Sequence, residues 1–254
     1  MLFGIPIWRI ILIIVLIYIV VQRANLVAFP AKIIYHQRKY PEALKIFKIA
    51  DKIGNLNLVN KILLGYVCLR CGEVENARKH LQLAVTLTKR DSADRNKVKN
   101  ILALTSWKEG HLDEAIEDLE EVMESGFKSS VIYENLGIFY NLSDDKEKAL
   151  KFNLEAFDYN SDDLIICDNL ANSYFLAGEY DKAKELYDDF LNREIAPHFP
   201  EAYYGYGEVL IALGQKDEGL QMIKKSLDYP FSFLSIKSKK EIEEMYISYG
   251  GTIE

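Results

Sequence analysis

The chain has 254 residues, 49% of them hydrophobic, and 31 Lys and Arg against 38 Asp and Glu give a net charge of −7. That is ample material for a packed core, so size forces neither staples nor an obligate partner, and 6 prolines against 16 tyrosines and 12 phenylalanines argue for long ordered helices rather than linkers. The charge is polarised: residues 1–100 hold 17 Lys and Arg and 6 Asp and Glu, a net of +11, while the remainder hold 14 and 32, a net of −18.

Residues 2–21, LFGIPIWRIILIIVLIYIVV, have about the length needed to cross a hydrocarbon core as a helix. Their one charge, Arg9, lies near the start, where it can snorkel to the headgroups beside Trp8. A cleaved signal peptide is the competing reading. Against it, Arg23 stands where a small-residue cleavage site should be. Residues 1–23 are therefore expected to be a single transmembrane anchor. Arg9 and the terminal amine precede the span, and Arg23, Lys32, Arg38 and Lys39 follow it, so the positive-inside rule places the repeats in the cytoplasm, at an inner or plasma membrane. The basic proximal half then lies close to anionic lipid.

From residue 24 onward a pattern repeats. Small residues recur at Ala43, Ala77, Ala115, Ala149, Ala183 and Gly219, with spacings of 34, 38, 34, 34 and 36. Ahead of four of them stands a turn glycine, Gly72, Gly110, Gly178 or Gly214, suited to the left-handed backbone that ends a helix. Apolar residues follow four positions later, at Phe47, Leu81, Leu119, Tyr187 and Ile223, and small or apolar ones three beyond those, which makes one buried helix face. Each preceding helix pairs a large with a small residue, as in Leu64-Gly65, Leu102-Ala103, Leu136-Gly137, Leu170-Ala171 and Tyr206-Gly207. The clearest unit is residues 170–187, LANSYFLAGEYDKAKELY. A period near 34 signals a helical solenoid.

These residues resemble the tetratricopeptide repeat family. The resemblance covers residues 24–229 in about six units and implies an all-α fold: a transmembrane helix, a solenoid of helix-turn-helix repeats, and at 230–254 a capping helix and tail. The cap is expected around residues 235–249, hiding the last repeat's apolar face. The chain departs from the pattern in three places. Pro30 stands where the first unit needs a large residue, so that helix is expected to be short or kinked. The fourth unit has Asp144-Asp145 for glycine and Asn153 at an aromatic position, and the last has Gly219 for alanine.

No catalytic group is expected. None of His36, His80, His111 and His198 falls beside a Ser or Cys that it would activate. Cys68 and Cys71 form a CxxC without the second ligand pair that zinc requires, and with Cys167 they read as core thiols. Residues 158–162 resemble the opening of a calcium loop, but Asp163 and Asn169 replace the needed Gly and Glu, so a helix-capping turn is the better account. No metal or cofactor is expected.

The resemblance implies that the first helices line a groove for a protein or peptide. The positions left over from packing are Leu63, Tyr66, Leu69, Leu104 and Trp107 in the proximal half, and Glu134, Asn135, Asn141, Asp168, Asn169, Asn172, Tyr204 and Glu208 in the distal half, with Tyr66, Leu69, Trp107, Glu134, Asn135, Asp168, Asn169, Asn172, Tyr204 and Glu208 as the expected contacts. Asn135 and Asn169 occupy equivalent places one repeat apart, and each amide can donate to and accept from an extended backbone; the alternative is that they hold the scaffold together. Glu134, Asp168 and Glu208 favour a basic or neutral ligand over an acidic one, and nucleic acid is excluded because the distal half repels phosphate. The expected function is a membrane-anchored scaffold or adaptor without catalysis. Two alternatives remain: an accessory subunit of a membrane-associated envelope or lipid-synthesis complex, similar to bacterial anchored repeat proteins though without their cysteine-bearing tail module, or an extracytoplasmic protein with the same binding role.

Overall fold

A computed structural model describes residues 6–90 and 92–252. Residues 1–5 of the expected anchor, residue 91 of the expected solenoid and residues 253–254 of the expected tail lie outside it. The described residues form 13 α-helices and no strand. They fall into two compact units, Met1–Val98 and Lys99–Glu254.

The first unit opens with α1 (Ile7–His36), a single helix of 30 residues. Its two halves differ. From residue 11 to 21 every side chain is 46–66% exposed, apolar on all sides and covered by nothing in the unit. Farther along, Ala24, Ala28 and Ala31 are buried one turn apart against α2 (Tyr40–Ile53), which presents Ala43, Leu44, Phe47 and Ala50. Arg23 sits between the halves and donates from Nε to the carbonyl of Ile53 at 2.9 Å, closing the C-terminal end of α2 where a cation is favoured. The expected boundary after residue 23 thus falls inside one helix, and the first repeat has no separate entry. Pro30 neither shortens nor breaks it, because its ring lies on the exposed side, away from the alanine stripe.

Next come α3 (Leu58–Arg70) and α4 (Val74–Leu87). They approach closely because Gly65 has no side chain; a Cβ there would come within 2.6 Å of Leu81. Asn25 ties the pairs together, its Oδ1 accepting from the Asn57 backbone at 2.9 Å and from Asn60 Nδ2 at 2.8 Å.

The division between the units falls within α5 (Ala93–Lys108). The second unit continues with α6 (Leu112–Glu124), α7 (Ser130–Leu142), α8 (Lys146–Tyr159), α9 (Leu164–Leu176), α10 (Tyr180–Leu191), α11 (Glu201–Ala212), α12 (Lys216–Ser226) and α13 (Lys239–Ser248). Ala115, Ala149 and Ala183 are buried as the period requires, and Gly110, Gly178 and Gly214 take positive φ at the turns. Between α7 and α8, where glycine is replaced, Ser143 is extended and the Asp145 side chain accepts from the Lys148 backbone, capping α8. Asp163 does the same for α9.

Two departures in the sequence have a packing cause. Gly219 is no weakness: a Cβ there would lie 2.7 Å from the Gly207 carbonyl and 2.6 Å from Ile211, so α11 and α12 meet backbone to backbone. Asn153 is fully buried, its amide nitrogen donating to Ser173 Oγ at 2.8 Å and sharing its second hydrogen between Asn141 Oδ1 at 3.2 Å and the Gly137 carbonyl at 3.3 Å. An amide and its hydrogen bonds stand where an aromatic ring was expected, and Gly137 leaves room for them.

The C-terminal cap begins later than the sequence pattern suggests. Ser238 accepts from the Glu241 backbone while the Glu241 carboxylate accepts from the Ser238 backbone, a reciprocal capping box that starts α13 at Lys239. Ile242 and Tyr246 of α13 then cover Ile223 and Tyr204. Residues 227–238 form no regular element.

Candidate partner-binding groove

In the second unit, the first helices α7, α9 and α11 share a face that opens into a cavity of ≈ 240 Å³. Asn141, Asp168, Asn169, Asn172, Tyr204 and Glu208 line it together, with Ile138, Phe175, Tyr187 and Glu201. The distal residues proposed from sequence are thereby brought to one place, except Glu134 and Asn135, which lie elsewhere on α7.

Several of these side chains already have work within the scaffold. Asn135 donates to Asn100 Oδ1 at 2.9 Å, and Asn169 donates to the Glu134 carbonyl at 2.8 Å, each across a repeat junction. Asn141 Nδ2 returns to the Asn169 carbonyl at 2.8 Å, and its Oδ1 accepts from Ser173 at 2.6 Å. These bonds use one of the two amide hydrogens of Asn135 and one of those of Asn169. Asn172 makes no hydrogen bond among the described residues and lines the cavity.

Asp168 is 7% exposed and accepts from the Tyr187 hydroxyl at 3.0 Å. The contact depends on Gly205, since a Cβ there would collide with that hydroxyl. Burial, reinforced by the charge of Glu201, pushes the Asp168 carboxyl up to about 8, the Tyr187 bond opposing. Burial pushes Glu134 up to about 8 as well, with Asp163 adding to the effect. Two of the three acids counted on from sequence are thus predominantly neutral near pH 7. Two further carboxyl groups line the cavity, Glu208 and Glu201, the second of which the repeat register did not single out.

In the first unit, Leu69 is fully buried and Tyr66 half-buried, its ring 6.2 Å from Tyr35 and its hydroxyl accepting from Arg70 at 3.4 Å. Leu69 packs in the core and offers no contact surface. Trp107, on α5 in the second unit, stands 5.6 Å from Phe139, and Lys108 Nζ lies 3.7 Å above its ring. Tyr204 is also largely buried, under Ile242 and Tyr246.

Lys108, Ile236 and Lys237 were missed by sequence reasoning. Residues 235–237 read as the start of an amphipathic helix, and the signal against that was the Ser238-x-x-Glu241 box. Burial raises the thiols of Cys68 and Cys167, to about 12 and about 11, which leaves them protonated and unreactive at neutral pH. Among the described residues, no three His, Cys, Asp or Glu side chains gather to hold a metal ion.

Models of the tetratricopeptide repeat match residues 97–125 and 174–229. No curated protein matches the chain. Among solved structures, a tetratricopeptide repeat protein of Parabacteroides merdae is 15% identical with a TM-score of 0.71, over 89% of this chain and 85% of that one. A thermophilic tetratricopeptide repeat protein of Thermus thermophilus is 21% identical with a TM-score of 0.61, over 76% and 98%. A chain of the Cut9–Hcn1 hetero-tetramer of the APC/C is 14% identical with a TM-score of 0.68, over 88% and 43%. The chain therefore has the tetratricopeptide repeat fold, one consistent with a protein-interaction scaffold.

Proposed function

We propose that the protein is a membrane-anchored, non-catalytic scaffold whose second unit binds a protein or peptide segment along α7, α9 and α11. The observation that carries the reading is the cavity on that face: it gathers an uncommitted amide at Asn172, the carboxyl groups of Glu201 and Glu208, and apolar walls from Ile138 and Phe175. This mixture suits an extended polypeptide, whose backbone needs polar partners and whose side chains need pockets. A chain of similar fold works inside a hetero-tetramer, which supports the same use here.

Anchoring is the second part of the proposal. Among the described residues one helix is long and apolar enough to cross a membrane, and a signal sequence passes the same test of length and composition. Support for an anchor comes from the continuity of α1: the apolar half runs without a turn into the half that packs on α2, leaving no extended stretch for cleavage. The positive charges after the span favour repeats on the cytoplasmic side of an inner or plasma membrane.

The test is capture of partners from solubilised membranes by the full chain, compared with Asn172→Arg, whose bulk and charge fill the cavity. Loss of partners with an unchanged melting curve is the expected result, and an identical partner set sinks the groove assignment. Protease added to intact cells checks the topology: digestion of the repeats from outside reverses the proposed orientation.

A further inference from the structure

Residues 227–238, between α12 and α13, cross one end of the groove. Ser235 presents its carbonyl to Lys108 Nζ on α5 at 2.9 Å. The next backbone N–H, that of Ile236, donates to Glu201 Oε1 on α11 at 3.2 Å. Lys237 Nζ then donates to Glu208 Oε2 at 3.2 Å and lies 4.9 Å from the centre of the Tyr204 ring. Phe233, still exposed, lies with its ring 5.6 Å from Lys108 Nζ. A carbonyl on a lysine, an amide on a carboxylate, and a lysine on a carboxylate and an aromatic face are the contacts of a bound peptide, made here by the chain itself.

We propose that residues 232–237 are an internal ligand of the groove, and that the partner is an extended basic peptide that displaces them, placing an aromatic or aliphatic side chain near Trp107 and Lys108 and a lysine or arginine on Glu208. The inference rests on the groove being the binding site and adds who occupies it at rest.

Three features support it. The segment is held at its ends: α12 packs on α11, and Phe231 joins the core that α13 closes over Tyr204 and Ile223, so residues 232–237 beyond that anchor can leave without unfolding either helix. Its grip is weak, because Lys237 and Glu208 keep 37% and 18% of their side-chain surface in solvent, where ion pairs are screened. Ile236 and Lys237 also border the same cavity as Asn141, Asn169 and Asn172, so the space they cover continues into the rest of the groove. The charge balance selects the partner. When Lys237 leaves with the strap, Glu208 loses the cation it is paired with. An acidic segment gains nothing there; a basic one replaces what departed.

The experiment uses the full chain in detergent and a labelled peptide with the sequence of residues 229–239, YPFSFLSIKSK, in trans. An occupied groove reduces apparent affinity by the fraction that is open, so Phe233→Ala combined with Lys237→Ala is expected to bind the peptide about tenfold more tightly than wild type. Glu208→Lys is expected to abolish binding in either background, and a peptide with glutamate at the lysine corresponding to Lys237 is expected not to bind. Amide exchange at Ile236 should speed up when peptide is added to wild type, a readout that needs no substitution. Equal affinity for wild type and the double variant, or unchanged exchange at Ile236 with peptide bound, overturns the internal-ligand proposal and leaves the groove itself standing. If no peptide binds and Asn172→Arg still captures every partner, the groove reading falls instead.

Discussion

The helix pairs of the first unit close mainly on alkyl and aromatic side chains, with Asn25 and Asn60 as a part-buried amide link between pairs, whereas the second unit carries a bond from Asn135 to Asn100 and, from the next repeat, Asn169 on the Glu134 carbonyl followed by Asn141, Asn153 and Ser173. The charge divides at the same place. Residues 1–98 hold 16 Lys and Arg against 6 acids, and residues 99–254 hold 15 against 32. One repeat pattern therefore supports two chemistries. Where the framework residues are alanine, glycine and leucine alone, any register that buries them will do. Buried amides accept only the register that satisfies them, and so hold the groove side chains in fixed positions.

The comparison is broken most severely at α1. Ile13→Lys together with Ile17→Lys places two charges in the proposed anchor, each costing about 2.5–3.5 kcal/mol at the centre of a span. The protein is expected to move from the membrane to the soluble fraction with both units folded, and retention in membranes by this variant refutes the anchor. Next come the cores. Phe47→Ala in the first unit and Phe190→Ala in the second each remove a fully buried ring and should cost about 3–5 kcal/mol. If the units are separate cooperative blocks, each variant lowers its own melting transition and spares the other, as differential calorimetry can resolve.

Asp168 distinguishes the units by pH. Its carboxyl is raised in the folded state, from 3.8 to about 8, so between those values the unfolded chain has released a proton that the folded one keeps. Stability of the second unit should fall as pH rises through that window and level off above it. Asp168→Asn is expected to reduce the slope to the part that Glu134 contributes, with Tyr187 still donating to the amide oxygen; denaturant melts from pH 4 to 8 check this, and an unchanged slope removes Asp168 as a source. Gly205→Ala should push the Tyr187 hydroxyl off Asp168 and cost about 1–3 kcal/mol, the penalty of a buried polar group without its partner. Smallest of all, Lys48→Ala removes an exposed pair with Glu73 in the first unit and should change stability by less than about 1 kcal/mol. A larger loss would mean that surface charge contributes more to the basic unit than its packing implies.

Most of the helix framework was legible in the sequence because a period of 34 is carried by residues that have one job. Ala43, Ala77, Ala115, Ala149 and Ala183 are small because a neighbouring helix is close, and Gly72, Gly110, Gly178 and Gly214 are glycine because φ is positive. Side chains with two possible jobs were harder to read. Asn169 suits a ligand's backbone as well as it suits Glu134, and sequence spacing cannot show which carbonyl is nearer. The charge state of Asp168 depends on burial beneath α11, which no local pattern encodes. The strap was hidden because SIKSKKEIEEMY has an amphipathic rhythm throughout, and only its capping box marks where the helix begins.

The continuity of α1 makes it a shaft with no universal joint. A residue inserted near position 22 would turn the packed half by about 100° relative to the apolar half and advance it by about 1.5 Å, and four would nearly restore the original phase. The direction in which the first repeat points is therefore set by the count of residues between Val21 and Ala24, in steps that side-chain packing cannot smooth over.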